Sequence, residues 1–278
     1  MSIPEPSIRI NVDVTNPGQF FACCGLLELA DRQWQGAEGW FTDGRFCLVS
    51  ATELPTLLAT LIMDPPEEVT QLANGLEVKP LIAPLRFSFD GGSTISLVLD
   101  AWMTMRVEKG EIVTVANPPW NFWSGQQTSF RIWNALRNEV AGQLKTLDSQ
   151  QLEDLFFQRV PLYGRFGFDP APAWTALDVG FSPNEQKIEV ASSAFVELLA
   201  AVGVQRFRPC LSSERDAFVY GTWGQPLAPT AAAAAVAGIL HVPPAGRFRC
   251  RVIRRGSYAA LSYSTPLPLR GELYEYPS

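Results

Sequence analysis

The stretch NPGQFFACCGLLELADRQW, Asn16 to Trp34, limits the fold more than any other part of the 278-residue chain. Asn16 is a good N-cap, and Pro17 suits the first helical position because it lacks the N–H that a first turn leaves unpaired. Behind them Phe20, Cys24, Leu27 and Asp31 step by three or four along one side, while Phe21, Leu26 and Leu29 carry apolar character to the others. A helix apolar around most of its circumference is buried, so other elements have to pack about it. The adjacent Cys23 and Cys24 admit three readings: a nucleophile pair, half of a metal site, or core. Neighbours on a helix point about 100° apart, which spoils a tetrahedral half-site, and Cys23 has no evident base beside it. Packing is the expectation, with the small cysteines and Gly25 admitting another element closely.

The rest of the chain reads as mixed structure. Ile8 to Val14 alternates as a strand, and GWFTDGRFCLVS predicts a hairpin turning at Asp43-Gly44. TELPTLLATLIM predicts a short helix after Thr52, and PLRFSFDGGSTISLVLD two strands joined near Gly91-Gly92. Gln126 to Lys145 and Ser149 to Arg159 read as helices, the first with Ile132, Leu136 and Val140 as its core stripe. Another helix spans Ser192 to Val202 and stops at Gly203, and TAAAAAVAGIL is helical with Thr230 as its cap. No repeat or low-complexity linker divides the chain. The expectation is one α+β domain over residues 1–278, with mixed or antiparallel sheets, a helical middle and a C-terminal β-hairpin. Its sub-regions are an α+β part (1–125), a helical part (126–203) and a basic, β-rich part (204–278).

Several classes of chemistry are poorly provided for. The single histidine, His241 in ILHVPP, leaves little room for the common nuclease, protease and zinc-hydrolase arrangements. No glycine loop matches a phosphate or dinucleotide fingerprint, and Glu153 and Asp154 diverge on their helix. Neither catalysis, a metal nor a cofactor is expected. No stretch approaches the roughly 18 apolar residues of a membrane span, and the N-terminus lacks a signal-peptide pattern, so the expected location is the cytoplasm, with no membrane partner and five free thiols.

Three stretches are candidates for function. In NPPWNFWSGQQTSFRIWNALRNE, Trp120, Phe122 and Trp123 precede Gln126 and Gln127 at a helix entrance, where backbone donors suit a phosphate and aromatic faces suit a base. The helix then shows Arg131, Asn134, Arg137 and Asn138 on a polar face; the alternative is a hydrophobic staple with a solvated surface. In VQRFRPCLSSERDAFVYG, Arg206 and Arg208 flank Phe207 on what reads as a strand, suited either to anions or to surface ion pairs. In GRFRCRVIRRGSYAALSYS, alternation sets Arg247, Arg249 and Arg251 on one strand face and Phe248, Cys250 and Val252 on the other. A turn at Arg255-Gly256 pairs Ile253 with Tyr258, Arg251 with Ala260, Arg249 with Ser262 and Arg247 with Ser264, stacking Ala259, Leu261 and Tyr263 on the buried side. Arg254 and Arg255 then form a flexible basic tip.

Charge is unevenly spread. Gly203 to Gly256 holds eight arginines against one glutamate and one aspartate, a net +6, so the remainder carries −12 to give the chain its −6. A basic segment on an acidic body can take a polyanion while other faces meet other partners.

NPGQFFACCGLLELADR together with RFRPCLSSERDAFVYGTWGQPLAP resembles the small Cas subunit of CRISPR type I-U systems, now type I-G. That subunit is the third Csb family, a large-subunit relative also described as an extension of the Cas helicase-nuclease. The resemblance covers most of the chain and carries no catalytic signature. It implies a non-enzymatic part of a Cascade-like, RNA-guided effector complex in antiviral defence, beside other Cas subunits and the helicase-nuclease. Arg247, Arg249, Arg251, Arg254 and Arg255, with Arg206, Arg208, Gln126, Gln127, Arg131 and Asn134, are then the expected contacts to guide RNA or target DNA. A docking subunit without nucleic-acid contact, and a small cysteine- or carboxylate-dependent enzyme, are the competing readings.

Overall fold

The computed structural model describes residues 3–63, 65–89, 96–123, 127–172, 190–255 and 258–268. With 32% helix and 28% strand in small antiparallel sheets, the fold is α+β. The chain opens with β1 (Ile8–Asn11), α1 (Pro17–Trp34), β2 (Glu38–Thr42) and β3 (Arg45–Val49). These strands form a sheet in the order β1-β3-β2. Its hairpin turns where expected: Asp43 and Gly44 both take positive φ, 47° and 73°, the conformation that a tight two-residue turn needs.

Next come α2 (Leu54–Ile62), β4 (Glu67–Glu68), β5 (Leu85–Ser88) and β6 (Ser96–Leu99), then the two-stranded ribbon β7 (Met103–Glu108) and β8 (Glu111–Ala116). The expected Gly91-Gly92 join between β5 and β6 lies outside the described residues. The middle holds α3 (Ser129–Gln143), α4 (Ser149–Glu153), β9 (Val160–Leu162), β10 (Val190–Ser192) and α5 (Ala194–Arg206). The end comprises β11 (Cys210–Leu211), β12 (Ala217–Gly221), α6 (Pro229–Val236), β13 (Arg247–Arg255), β14 (Tyr258–Leu261) and β15 (Thr265–Leu267). These last strands make one sheet, β11-β12-β13-β14, with β15 continuing along the edge of β13 beyond β14.

The core is organised by α1 and α5. Asn16 caps α1 by accepting from the Gln19 N–H at 3.2 Å, and every residue from Pro17 to Ala30 is buried. α5 is buried from Ala194 to Val204. The two helices touch backbone to backbone: a Cβ on Gly25 would land on the Leu199 carbonyl, 2.8 Å from its carbon, and one on Gly203 would lie 3.1 Å from the Phe21 carbonyl carbon. Gly203 is therefore a packing glycine inside α5 and not the stop that its sequence position suggested. Cys23 and Cys24 on α1 have no exposed surface, and burial pushes both thiols well above their ordinary pKa.

Other helix limits move for local reasons. α3 begins at Ser129, where the Thr128 hydroxyl accepts from Arg131 N–H. α4 opens with a capping box between Asp148 and Gln151 but ends at Glu153, and a single 3-10 turn, Leu155–Phe157, follows. α6 begins at Pro229, whose ring presets the first turn, so Ala228 and not Thr230 occupies the cap. The expected helical middle also contains the short β9–β10 pair. His241 is exposed in the segment after α6.

Candidate nucleic-acid interface

The β13 alternation is realised. Phe248, Cys250 and Val252 are buried, with Phe248 stacked on Tyr220 at 5.6 Å, whereas Arg249 and Arg251 are exposed and Arg247 is half-buried. On one side β12 sets Gly221 opposite Arg247, Val219 opposite Arg249 and Ala217 opposite Arg251. On the other side β15 sets Leu267 and Thr265 opposite Arg247 and Arg249. The three guanidinium groups thus rise among small or uncharged neighbours. Arg247 Nη1 donates to the Pro268 carbonyl at 3.3 Å, and among the described residues none of the three is paired with a carboxylate.

The hairpin register differs from expectation by two residues. Arg255 pairs with Tyr258 and Val252 with Leu261, so the turn falls at residues 256–257. An even displacement keeps every side chain on its face, which is why the basic shelf survives the error. Ser264 is not opposite Arg247. It is buried, its N–H donating to the Thr15 carbonyl at 2.7 Å and its Oγ accepting from the Tyr220 hydroxyl at 2.9 Å. That inward pull breaks the strand after Leu261, shifts the pairing of β15 and leaves Tyr263 37% exposed instead of buried.

Arg254 is corrected in position: it shares the alternation of Val252 and lies on the opposite face from the shelf. There it lines a cleft of about 200 Å³ with Ala116, Pro118, Pro119, Asn121, Val252 and Ala259. The Arg255 side chain falls outside the described residues, although its backbone ends β13.

Arg206 is a second correction. It ends a helix, not a strand, and its Nε lies 2.7 Å from Glu28 Oε2, while Arg32 Nε reaches Glu28 Oε1 at 2.5 Å. Glu28 is 1% exposed, so the two arginines neutralise a buried carboxylate between α1 and α5, and Arg206, its side chain 33% exposed, is engaged in that pair. Arg208 is exposed but tied to its own helix end, Nε donating to the Gln205 carbonyl at 3.0 Å. Burial lowers its pKa and nearby Asp100 opposes that shift; Asp100 is itself raised by burial and held down by Arg208.

The α3 entrance does not form a stacking platform. Trp120, Phe122 and Trp123 are at most 6% exposed, Trp123 Nε1 donates to the Leu81 carbonyl, and Trp120 meets Phe21 edge-on. Gln126 lies outside the described residues. Gln127 donates to the Tyr163 carbonyl at 3.4 Å, and Arg137 is spent capping α2 through the Ile62 and Met63 carbonyls. Arg131 is exposed and Asn134 half-buried, but α3 packs chiefly on α5 and α2, away from β13.

A polar cluster escaped the sequence reading. Glu197, fully buried on α5, accepts from the Gly167 N–H at 2.7 Å and the Asp169 N–H at 3.0 Å, and Arg165 lies beside it. Burial raises its pKa, with Arg165 and these donors pulling the other way. Its sequence signal is a lone acid in an apolar helix, AFVELLAAVGV, the pattern Glu28 shows in GLLELADR. Among the described residues no group of histidine, cysteine or acidic side chains is gathered to hold a metal, and no helix is long and apolar enough to cross a membrane. No family model, no curated protein and no solved structure matches the chain.

Proposed function

We propose that this chain is a non-catalytic subunit of a CRISPR type I effector complex that contacts guide RNA or target DNA and works beside other Cas subunits and the helicase-nuclease. The family assignment rests on the two stretches quoted above. The contact rests on one observation, the row of Arg247, Arg249 and Arg251, unpaired with any carboxylate among the described residues. Alternate residues of a strand are about 6.8 Å apart, so the row spans about 13 Å. One strand of duplex DNA carries a phosphate every ~3.4 Å of axis, which gives the row several to neutralise. The contact is to backbone, sets position, and reads no sequence by itself.

The test is a salt titration of oligonucleotide binding by the full chain, with Arg247, Arg249 and Arg251 all replaced by Gln. Each lost phosphate contact flattens the slope of log affinity against log salt by about 0.9 on a duplex and about 0.7 on a single strand. The expected change is therefore up to about 2.7 or 2.1, with the melting temperature nearly unchanged because the three side chains leave the core untouched. Unaltered affinity and slope overturn the contact.

A docking role has one observation of its own. The β7–β8 ribbon carries Met105, Val107 and Ile112 at 55%, 72% and 53% exposure, with Val107 directly opposite Ile112, an apolar surface suited to a protein partner. The thiol-enzyme reading is weakened by burial, since Cys23 and Cys24 have no surface for a substrate to reach.

A further inference from the structure

We infer that the cleft between Pro118-Pro119 and the distal half of the β13–β14 hairpin binds a single nucleotide, its phosphate on Arg254 and the edge of its base on Asn121. The inference rests on the reading that this end of the chain meets nucleic acid, and it adds a pocket on the face opposite the arginine shelf.

Four properties of the cleft carry it. First, its lining contains a cation and no carboxylate: Arg254 is exposed and, among the described residues, unpaired with any acid. A guanidinium in that state suits a phosphate, which it can grip through two parallel N–H donors. Secondly, Asn121 lines the cleft with Nδ2 buried and, among the described residues, without a hydrogen-bond partner. Nδ2 has no surface open to the cleft as it stands, so an incoming acceptor meets it once the amide rotates outward, and that rotation ends the burial of a donor whose unsatisfied state costs about 1–3 kcal/mol. Base edges offer such acceptors as ring nitrogens and carbonyl oxygens.

Thirdly, the remaining walls are apolar. Pro118, Pro119, Val252 and Ala259 provide flat or small surfaces, and Phe122 and Trp123, 6% and 3% exposed, close the base of the cleft. Inorganic phosphate has no use for such walls, whereas a nucleobase lies well against them. Fourthly, the volume of about 200 Å³ falls below the roughly 300–1,000 Å³ of clefts that enclose a drug-sized ligand, a class that includes a nucleoside monophosphate, so the cleft takes the phosphate and one side of the base while the rest of the nucleotide stays in solvent. Two stretches far apart in sequence, Pro118 to Trp123 and Val252 to Arg254, meet here because β13 turns Val252 and Arg254 toward the loop leading into α3.

The shared chemistry is a nucleoside monophosphate, either free or as one unit of a single strand. The experiment measures binding of adenosine 5′-monophosphate, adenosine, inorganic phosphate and a single-stranded oligonucleotide to the full chain by calorimetry and fluorescence anisotropy. The variants are Arg254→Gln and, on the other face, Arg249→Gln with Arg251→Gln. The expected result is that the monophosphate binds more tightly than adenosine or phosphate alone, and that Arg254→Gln weakens it at least tenfold while the shelf variant does not. If only the oligonucleotide responds to Arg254→Gln, the cleft serves a nucleotide within a strand. If the monophosphate responds and no oligonucleotide binds, the cleft stands on free nucleotide and the nucleic-acid reading fails. Equal affinity for phosphate and monophosphate, or no response of either ligand to Arg254→Gln, overturns the cleft. In that last case a shelf variant that still loses oligonucleotide binding leaves the proposed function intact.

Discussion

Replacing Gly25 by Ala tests the contact on which the core is built. The new Cβ would meet the Leu199 carbonyl head-on, lying 2.8 Å from its carbon and 3.3 Å from the Gly203 nitrogen. Carbon atoms rest at about 3.5–4.0 Å, so α1 and α5 have to part by around 1 Å. The obstacle is backbone on a helix buried throughout, and no flexible side chain can swing aside to absorb the move. Overpacking costs about 1–3 kcal/mol and sometimes more, and this geometry belongs at the upper end. Alanine returns up to about 1 kcal/mol through its better helix propensity, which leaves a net loss of about 2 kcal/mol. The same substitution at Gly142 serves as the control. It lies near the end of α3 with nothing within 4 Å of its added methyl, so Gly142→Ala gains about 0.5–1 kcal/mol. With an m-value near 2 kcal/mol/M, the urea midpoint falls by about 1 M for Gly25→Ala and rises for Gly142→Ala. A Gly25→Ala chain as stable as the parent would refute the close crossing and, with it, the account of why small residues fill that helix.

Two further outcomes follow from burial. At mildly alkaline pH an alkylating reagent should modify Cys210, the exposed thiol, and spare Cys23, Cys24 and Cys250, whose thiols burial holds high, that of Cys250 at about 12; mass spectrometry finding Cys23 or Cys24 modified as fast as Cys210 contradicts this. Because burial raises the native pKa of Glu197, its contribution to stability is complete below the unfolded glutamate value of about 4.3 and is lost as pH climbs through the higher native value, so the parent weakens relative to Glu197→Gln as pH rises above about 4.3; urea midpoints that hold a constant difference, or one of opposite sign, reject it.

What the sequence disclosed were features governed by near neighbours. Asn16 capping α1, the Asp43-Gly44 turn and the inward face of β13 all depend on residues within a few positions, and a period of two tolerates a hairpin displaced by two. What it withheld depended on contacts from far along the chain. RFR around Phe207 alternates like a strand, and only the presence of Glu28 on the crossing helix reveals that Arg206 completes a buried ion pair. Gly203 carries the same letter whether it ends a helix or lets another helix in. Trp120 and Trp123 have flat faces suited to a base, but the same faces pack against Phe21 and Trp102, where burial of so much apolar surface outweighs display. The break after Leu261 needed Tyr220 and Thr15 to be known as partners of Ser264.

The two kinds of arginine in this chain answer to different constraints. Inside, charge is tolerated only where it is matched: Glu28 holds Arg32 and Arg206, and Glu197 lies beside Arg165 with backbone donors completing its shell. On β13 the inward positions are committed to Phe248, Cys250 and Val252, and of the alternate positions Arg249 and Arg251 are exposed while Arg247 is half-buried. Charge there adds nothing to the core and, unpaired with any carboxylate among the described residues, is slightly unfavourable through mutual repulsion of Arg247, Arg249 and Arg251. Surface ion pairs would relieve that repulsion at little structural cost, and the sheet supplies none among the described residues. On the proposed function an arriving polyanion would relieve it instead, and would gain the release of its own counterions in the process. A fold that pairs Glu28 and Glu197 within and, among the described residues, leaves this outer row unmatched would, on the proposed function, keep its electrostatic attraction for a partner that arrives after folding.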